Sequence, residues 1–152
     1  MELAAMRLTR FTDYSLRVLI HLAQNNQDRV TIHQISESYD ISKNHLMKVV
    51  SNLTRLQFVS AQRGPGGGIR LNRLPEDISL NEVIRNTEKH LQLADTPDLL
   101  EDNNSTVDTR LSSYLQHALH AYLDALGRFT LADILGSQTN GMKPVNFDQK
   151  PA

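Results

Sequence analysis

Ser42, Lys43, Asn44, His45 and Lys48 crowd the start of a short helical pattern, away from its apolar side. Soon after come Arg63, Gly64, Pro65, Gly66, Gly67, Gly68 and Arg70, a basic and glycine-rich turn. The first group joins hydroxyl, amide and imidazole groups, which hydrogen-bond base edges, to lysines that pair with phosphate. The second sets two guanidinium groups on the flanks of a turn narrow enough to enter a groove. Such a tip needs glycine because a tight turn demands positive φ, and because a tip in a minor groove cannot carry a side chain on every residue. Residues like those of the first group also make an ordinary solvated helix face. Their place beside the basic turn is what points to DNA. A phosphate-binding loop would use glycines too, but no Gly-Lys-Ser/Thr follows and these glycines precede a strand rather than a helix.

The elements that must position these groups can be read on either side. Two helices are expected at Thr31–Tyr39 and Ser42–Arg55, joined by the turn Asp40-Ile41-Ser42. Ile35 and Tyr39 face inward on the first; Leu46, Val49, Val50 and Leu53 form the buried side of the second, which Ser42 caps. From Phe58 to Leu71 the pattern is strand, glycine turn, strand, so helix, turn, helix and hairpin together spell a winged helix-turn-helix. An earlier helix from Phe11 to Gln24 places Phe11, Tyr14, Val18 and Leu22 at helical spacing, with Thr12 as N-cap. Pro75 closes the winged unit, and Ser79-Leu-Asn-Glu82 is a capping box for a helix running to about His90. Asp95 to Asp108 reads as an acidic loop.

The longest helix is expected over Thr109–Phe129, with Leu111, Leu115, Ala118, Leu119, Tyr122 and Leu126 on one face. A winged unit has too small a core to occupy that stripe, so the economical partner is the same helix in a second copy. A short helix, Leu131–Leu135, and a tail from Gly136 expected to be disordered complete the chain. The fold class is therefore mainly α with a small β-hairpin. Residues 6–73 form the winged DNA-binding domain, 74–135 a linker helix, loop and dimerisation helix, and 136–152 the tail.

Bulk properties narrow the functions. The net charge of −1 hides a division: residues 1–73 carry ten Lys/Arg against five Asp/Glu, and residues 74–152 carry six against twelve. DNA contact therefore belongs to the first half. No cysteine occurs, which excludes disulfides, thiolate metal sites and a cysteine nucleophile. No apolar run approaches the roughly 18 residues of a membrane span, and no signal-peptide pattern stands at the N-terminus, so a cytoplasmic protein is expected. Met6 is an alternative start to Met1. No paired carboxylates, nucleophile–base set or cofactor loop suggests an enzyme.

Three stretches carry a family resemblance: Arg7-Leu-Thr-Arg-Phe-Thr-Asp-Tyr-Ser-Leu-Arg-Val-Leu-Ile-His-Leu-Ala, Ile41-Ser-Lys-Asn-His-Leu-Met-Lys-Val and Arg63-Gly-Pro-Gly-Gly-Gly-Ile-Arg-Leu. The chain resembles the bacterial winged-helix regulators of the NsrR and IscR type, and Ser79-Leu-Asn-Glu-Val-Ile-Arg and Phe129-Thr-Leu-Ala-Asp-Ile-Leu are most similar to NsrR. The resemblance covers about residues 6–135. It implies a homodimer with crossing long helices that binds double-stranded DNA at a near-palindromic operator and usually represses transcription. It also implies an iron–sulfur cluster held by three cysteines in the loop before the long helix. The corresponding loop here, from Leu93 to Thr109, contains none, and clusters need thiolate ligands with at most a minority replaced. No conventional cluster is expected. Asp13 stands where some relatives supply an oxygen ligand from the partner subunit; without thiolates it is expected to be structural, pairing across the dimer.

Other sensors can be sought among the histidines. His117, His120 and Asp124 lie at i, i+3 and i+7 and share a helix face, a pattern that suits either a divalent metal or a solvated polar face. His90 is an isolated candidate beside the altered loop. Two functions remain: a dimeric DNA-binding regulator, and a dimerising partner of a cluster-bearing paralogue that reads no operator. The intact set Lys43, Asn44, His45, Lys48 and Arg63 favours the first.

Overall fold

Thr9, not Thr12, opens the first helix: its side chain accepts the Thr12 N–H, and α1 runs Arg10–Gln24. Thr12 is instead buried, and Thr9 is held from afar, its N–H and hydroxyl both donating to Glu88 Oε1 at 2.6 and 3.1 Å. The structure, a computed structural model, describes residues 8–25, 28–89, 91 and 106–136. Met1–Met6, His90, the loop as far as residue 105 and the tail beyond 136 lie outside the described residues.

The next two helices start and stop where their polar residues dictate. A full capping box at Thr31 and Gln34 begins α2, Ile32–Tyr39, and Asp40 in the left-handed region ends it. Ser42 accepts the His45 N–H to cap α3, Lys43–Arg55. The Ser36 hydroxyl donates to Ile41 O at 2.6 Å, which pins the turn between the helices. The hairpin follows at once: β1, Val59–Gln62, pairs antiparallel with β2, Gly68–Leu71, in the register Val59 to Leu71. Val30, just before α2, adds a two-bond bridge to Ile69 on the other edge of β2, with N···O distances of 2.9 and 2.8 Å. The wing is thereby tied to the helices at both edges.

A 3-10 turn at Pro75–Asp77 leads to α4, Leu80–Thr87, which Ser79 caps and which stops short of His90. The long helix α5, Thr106–Leu126, starts three residues earlier than its apolar stripe suggests. The short α6, Leu131–Ile134, then brings the chain back to the winged unit through Leu131 N–H to Ile78 O at 3.0 Å and Leu80 N–H to Phe129 O at 2.9 Å.

One buried cluster joins these elements. It contains Val18, Leu19 and Leu22 of α1, Ile35 of α2, Leu46, Val49 and Leu53 of α3, Phe58, Ile69, Ile78, Val83 and Leu131. The packed core therefore reaches past the hairpin and closes only when α6 returns. Burying a side chain such as Leu131 or Phe58 contributes about 1.5–3 kcal/mol each. Ile84 of α4 and Leu123 of α5 are buried outside this cluster, where those two helices pack together.

Candidate nucleic-acid interface

The outward side of α3 is set by helical geometry. Because Leu46, Val49, Val50 and Leu53 are committed to the core, Lys43, Asn44, His45 and Lys48 are all exposed. Ser42 is exposed as well, with its hydroxyl oxygen already engaged as the cap. The His45 ring lies 6.1 Å from the Tyr14 ring of α1, which steadies the first turn of α3 against that helix.

At the wing, Arg63, Gly64, Pro65, Gly66 and Arg70 are exposed, while Gly67 and Gly68 are half-buried. Those two glycines build the wing rather than merely leaving it bare. Gly67 N–H closes the tip onto Gly64 O at 2.9 Å, and a Cβ there would lie 2.4 Å from Gln62 O. Gly68 has φ +144°, and a Cβ would meet Val30 O at 2.9 Å, in the way of the bridge that anchors the wing. The link Leu56-Gln57-Phe58 between α3 and β1 is only three residues long, and the helix packs against the strand, so the two basic groups belong to one rigid unit.

Among the described residues, Lys43, Lys48, Arg63 and Arg70 form no ion pair. The cations that do find carboxylates lie elsewhere. Arg73 makes a two-pronged pair with Glu82, at 2.7 and 2.9 Å, and that bond raises its pKa further. Arg17 donates to Asp13 at 2.9 Å and is held above its ordinary value by that bond. Asp13 is thus engaged by Arg17 one turn along its own helix. Lys43, Lys48, Arg63 and Arg70 thus keep positive charge free for a phosphate backbone on α3 and the wing, as Arg10, Arg85, Arg110 and Arg128 do elsewhere on the surface.

On α5 the apolar stripe is only partly covered. Leu115, Leu119, Tyr122 and Leu126 are half-buried, Ala118 is exposed and Leu111 retains 45 % exposure. Two residues of this helix escaped the sequence reading. Leu123 is buried, and Tyr114, 69 % exposed, is the most open large apolar side chain among the described residues. Tyr114 stands three residues after Leu111 and four before Ala118, a spacing that marks it as part of the same open surface.

His117, His120 and Asp124 are all exposed, and His120 Nδ1 lies 2.8 Å from Gln116 O of its own helix. Among the described residues no three His, Asp or Glu side chains gather as metal ligands. No helix among them is long and apolar enough to cross a membrane.

Known proteins decide what this architecture is. The Rrf2 family, described as an iron-dependent transcriptional regulator, matches residues 8–137. The chain belongs to the Rrf2 family. It is similar to the HTH-type transcriptional regulator NsrR of Bacillus licheniformis, 48% identical over 136 residues that make up 88% of this chain and 94% of the relative. The NsrR of Bacillus subtilis is 45% identical over 142 residues, 91% of this chain and 96% of that one. Among solved structures, CymR, the global cysteine regulator of B. subtilis, shares the fold with a TM-score of 0.70 at 21% identity, covering 88% of this chain and 98% of that one. This Rrf2 member is a DNA-binding transcriptional regulator with a winged helix-turn-helix, and not an enzyme. The sequence has no thiolate to offer, and the described histidines and carboxylates do not converge.

Proposed function

We propose that two copies of this chain bind a near-palindromic operator in double-stranded DNA and repress transcription from it, in the cytoplasm and without a conventional iron–sulfur cluster. Ser42, Lys43, Asn44, His45 and Lys48 enter the major groove. Arg63, Gly64, Pro65, Gly66 and Arg70 approach the flanking backbone or minor groove, and Gly67 and Gly68 hold the wing's shape. The open stripe of α5, from Leu111 through Leu115, Ala118, Leu119 and Tyr122 to Leu126, meets its twofold mate. The division of the chain at about residue 73 then separates DNA contact from dimerisation.

The observation that carries this reading is the gathering of four exposed cations without carboxylate partners, Lys43, Lys48, Arg63 and Arg70, on α3 and the wing that packs beside it. A partner that reads no operator would have no use for that arrangement. Capture of genomic fragments by the purified full chain, prepared without iron, tests the proposal. Enriched fragments should share an inverted repeat, and exposure to nitric oxide should leave the captured set unchanged. Absence of enrichment, or a set that changes with nitric oxide, contradicts it.

A further inference from the structure

One large apolar side chain interrupts the polar face of α3. Leu46, Val49, Val50 and Leu53 are at most 5 % exposed, whereas Met47 is 51 % exposed. It stands one turn after Asn44 and one turn before Ser51, in line with Arg55 further along, on the side that faces away from the core. Met47, Lys48, Ser51, Asn52 and Arg55 line a shallow open trough of about 430 Å³. Nothing among the described residues covers it. The trough is flanked by cations, and Arg55 is held in place by donating to Asn52 Oδ1 at 2.7 Å.

We propose that Met47 is a base-reading residue that packs against the C5-methyl group of thymine in each half of the operator. This rests on the DNA-binding reading above and adds the base that the helix selects. In the major groove thymine alone presents a methyl group, and apolar side chains recognise it by contact rather than by hydrogen bonding. A thioether suits that task because it is unbranched, polarizable and adaptable to the exact position of the methyl. Its neighbours supply what an isolated apolar contact lacks. Lys48 beside it holds a phosphate, and Asn44, one turn away, is the type that pairs with adenine. An exposed methionine on any other helix would need no explanation. On this face it sits where base edges pass.

The test uses the full chain and synthetic duplexes carrying a sequence recovered from the genomic capture, with each thymine replaced in turn by deoxyuridine, which removes only the methyl. At one thymine per half-site the substitution should weaken binding about fourfold, and about fifteenfold when made in both halves. Met47→Ala should bind the thymine and deoxyuridine duplexes alike, while Met47→Leu should retain most of the discrimination. Thermal unfolding of both variants should match the parent, since the side chain is exposed. If the parent binds its sequence tightly but no deoxyuridine substitution matters, or if Met47→Ala discriminates as the parent does, Met47 does not read thymine and the DNA-binding proposal stands without it. If the parent captures no sequence at all, both proposals fail together.

Discussion

Removing Arg63 gives the most quantitative handle on the interface. Four cations per protomer, Lys43, Lys48, Arg63 and Arg70, are exposed without carboxylates, so a dimer brings eight to the duplex. If each displaces one counterion, the slope of log Kobs against log salt is about −7, a loss of about 10⁴ in affinity between roughly 50 and 200 mM salt. Arg63→Ala removes two phosphate contacts per dimer, so the slope becomes shallower by about 1.8. Over the same salt range the variant should lose about twelvefold less affinity than the parent. Lys48→Ala should behave alike. Arg73→Ala is the control: its guanidinium is already committed to Glu82 at 2.7 Å, so the slope should not move. The assay is fluorescence anisotropy of a labelled operator duplex at several salt concentrations. An unchanged slope in Arg63→Ala and Lys48→Ala, or a shallower one in Arg73→Ala, refutes the assignment of phosphate contact to α3 and the wing.

Other perturbations probe the scaffold. Leu111→Asp places a charge on the open α5 stripe at a position half exposed in the protomer, so sedimentation should show folded monomers; a persistent dimer means the stripe packs elsewhere. Gly68→Ala should cost about 1–3 kcal/mol in denaturant unfolding, from a strained positive φ and the displaced Val30 bridge; an unchanged midpoint would show that the wing is not anchored there. His21 is partly buried against Tyr39, and burial holds its pKa below the ordinary 6.5. The neutral ring is therefore favoured by folding, so the stability it protects is present above about pH 6.5 and declines as pH falls below that value. His21→Gln should flatten that decline in melting temperature, and an identical decline in the variant would assign it to other groups.

The parts of the fold that local chemistry controls were legible. Thr31 and Ser42 start their helices by bonds to residues three positions away, and the glycines of the wing sit where a turn must be tight. Long-range contacts decide the rest. Thr9 and Thr12 both suit an N-cap, and Glu88, reaching back from the end of α4, secures Thr9 while Thr12 is buried. Helical spacing identified the apolar stripe of α5 but not that Leu123 would be buried and Tyr114 left open beside Leu111. That depends on where α4 lies. The return of Leu131 to the core depends likewise on backbone bonds to Ile78 that no local pattern announces. Met47 follows Leu46 directly in the sequence, and its exposure follows only once the core side of α3 is known.

The central claim is that a twofold pair of helices and wings reads DNA with no cluster to direct it. A hydroxyl-radical footprint of the iron-free full chain on a captured fragment tests this most directly. Two protected patches should appear, related by a dyad, with centres about one helical turn, roughly 10 base pairs, or a multiple of it apart. A single patch, or protection that appears only after iron and sulfide are supplied, contradicts it.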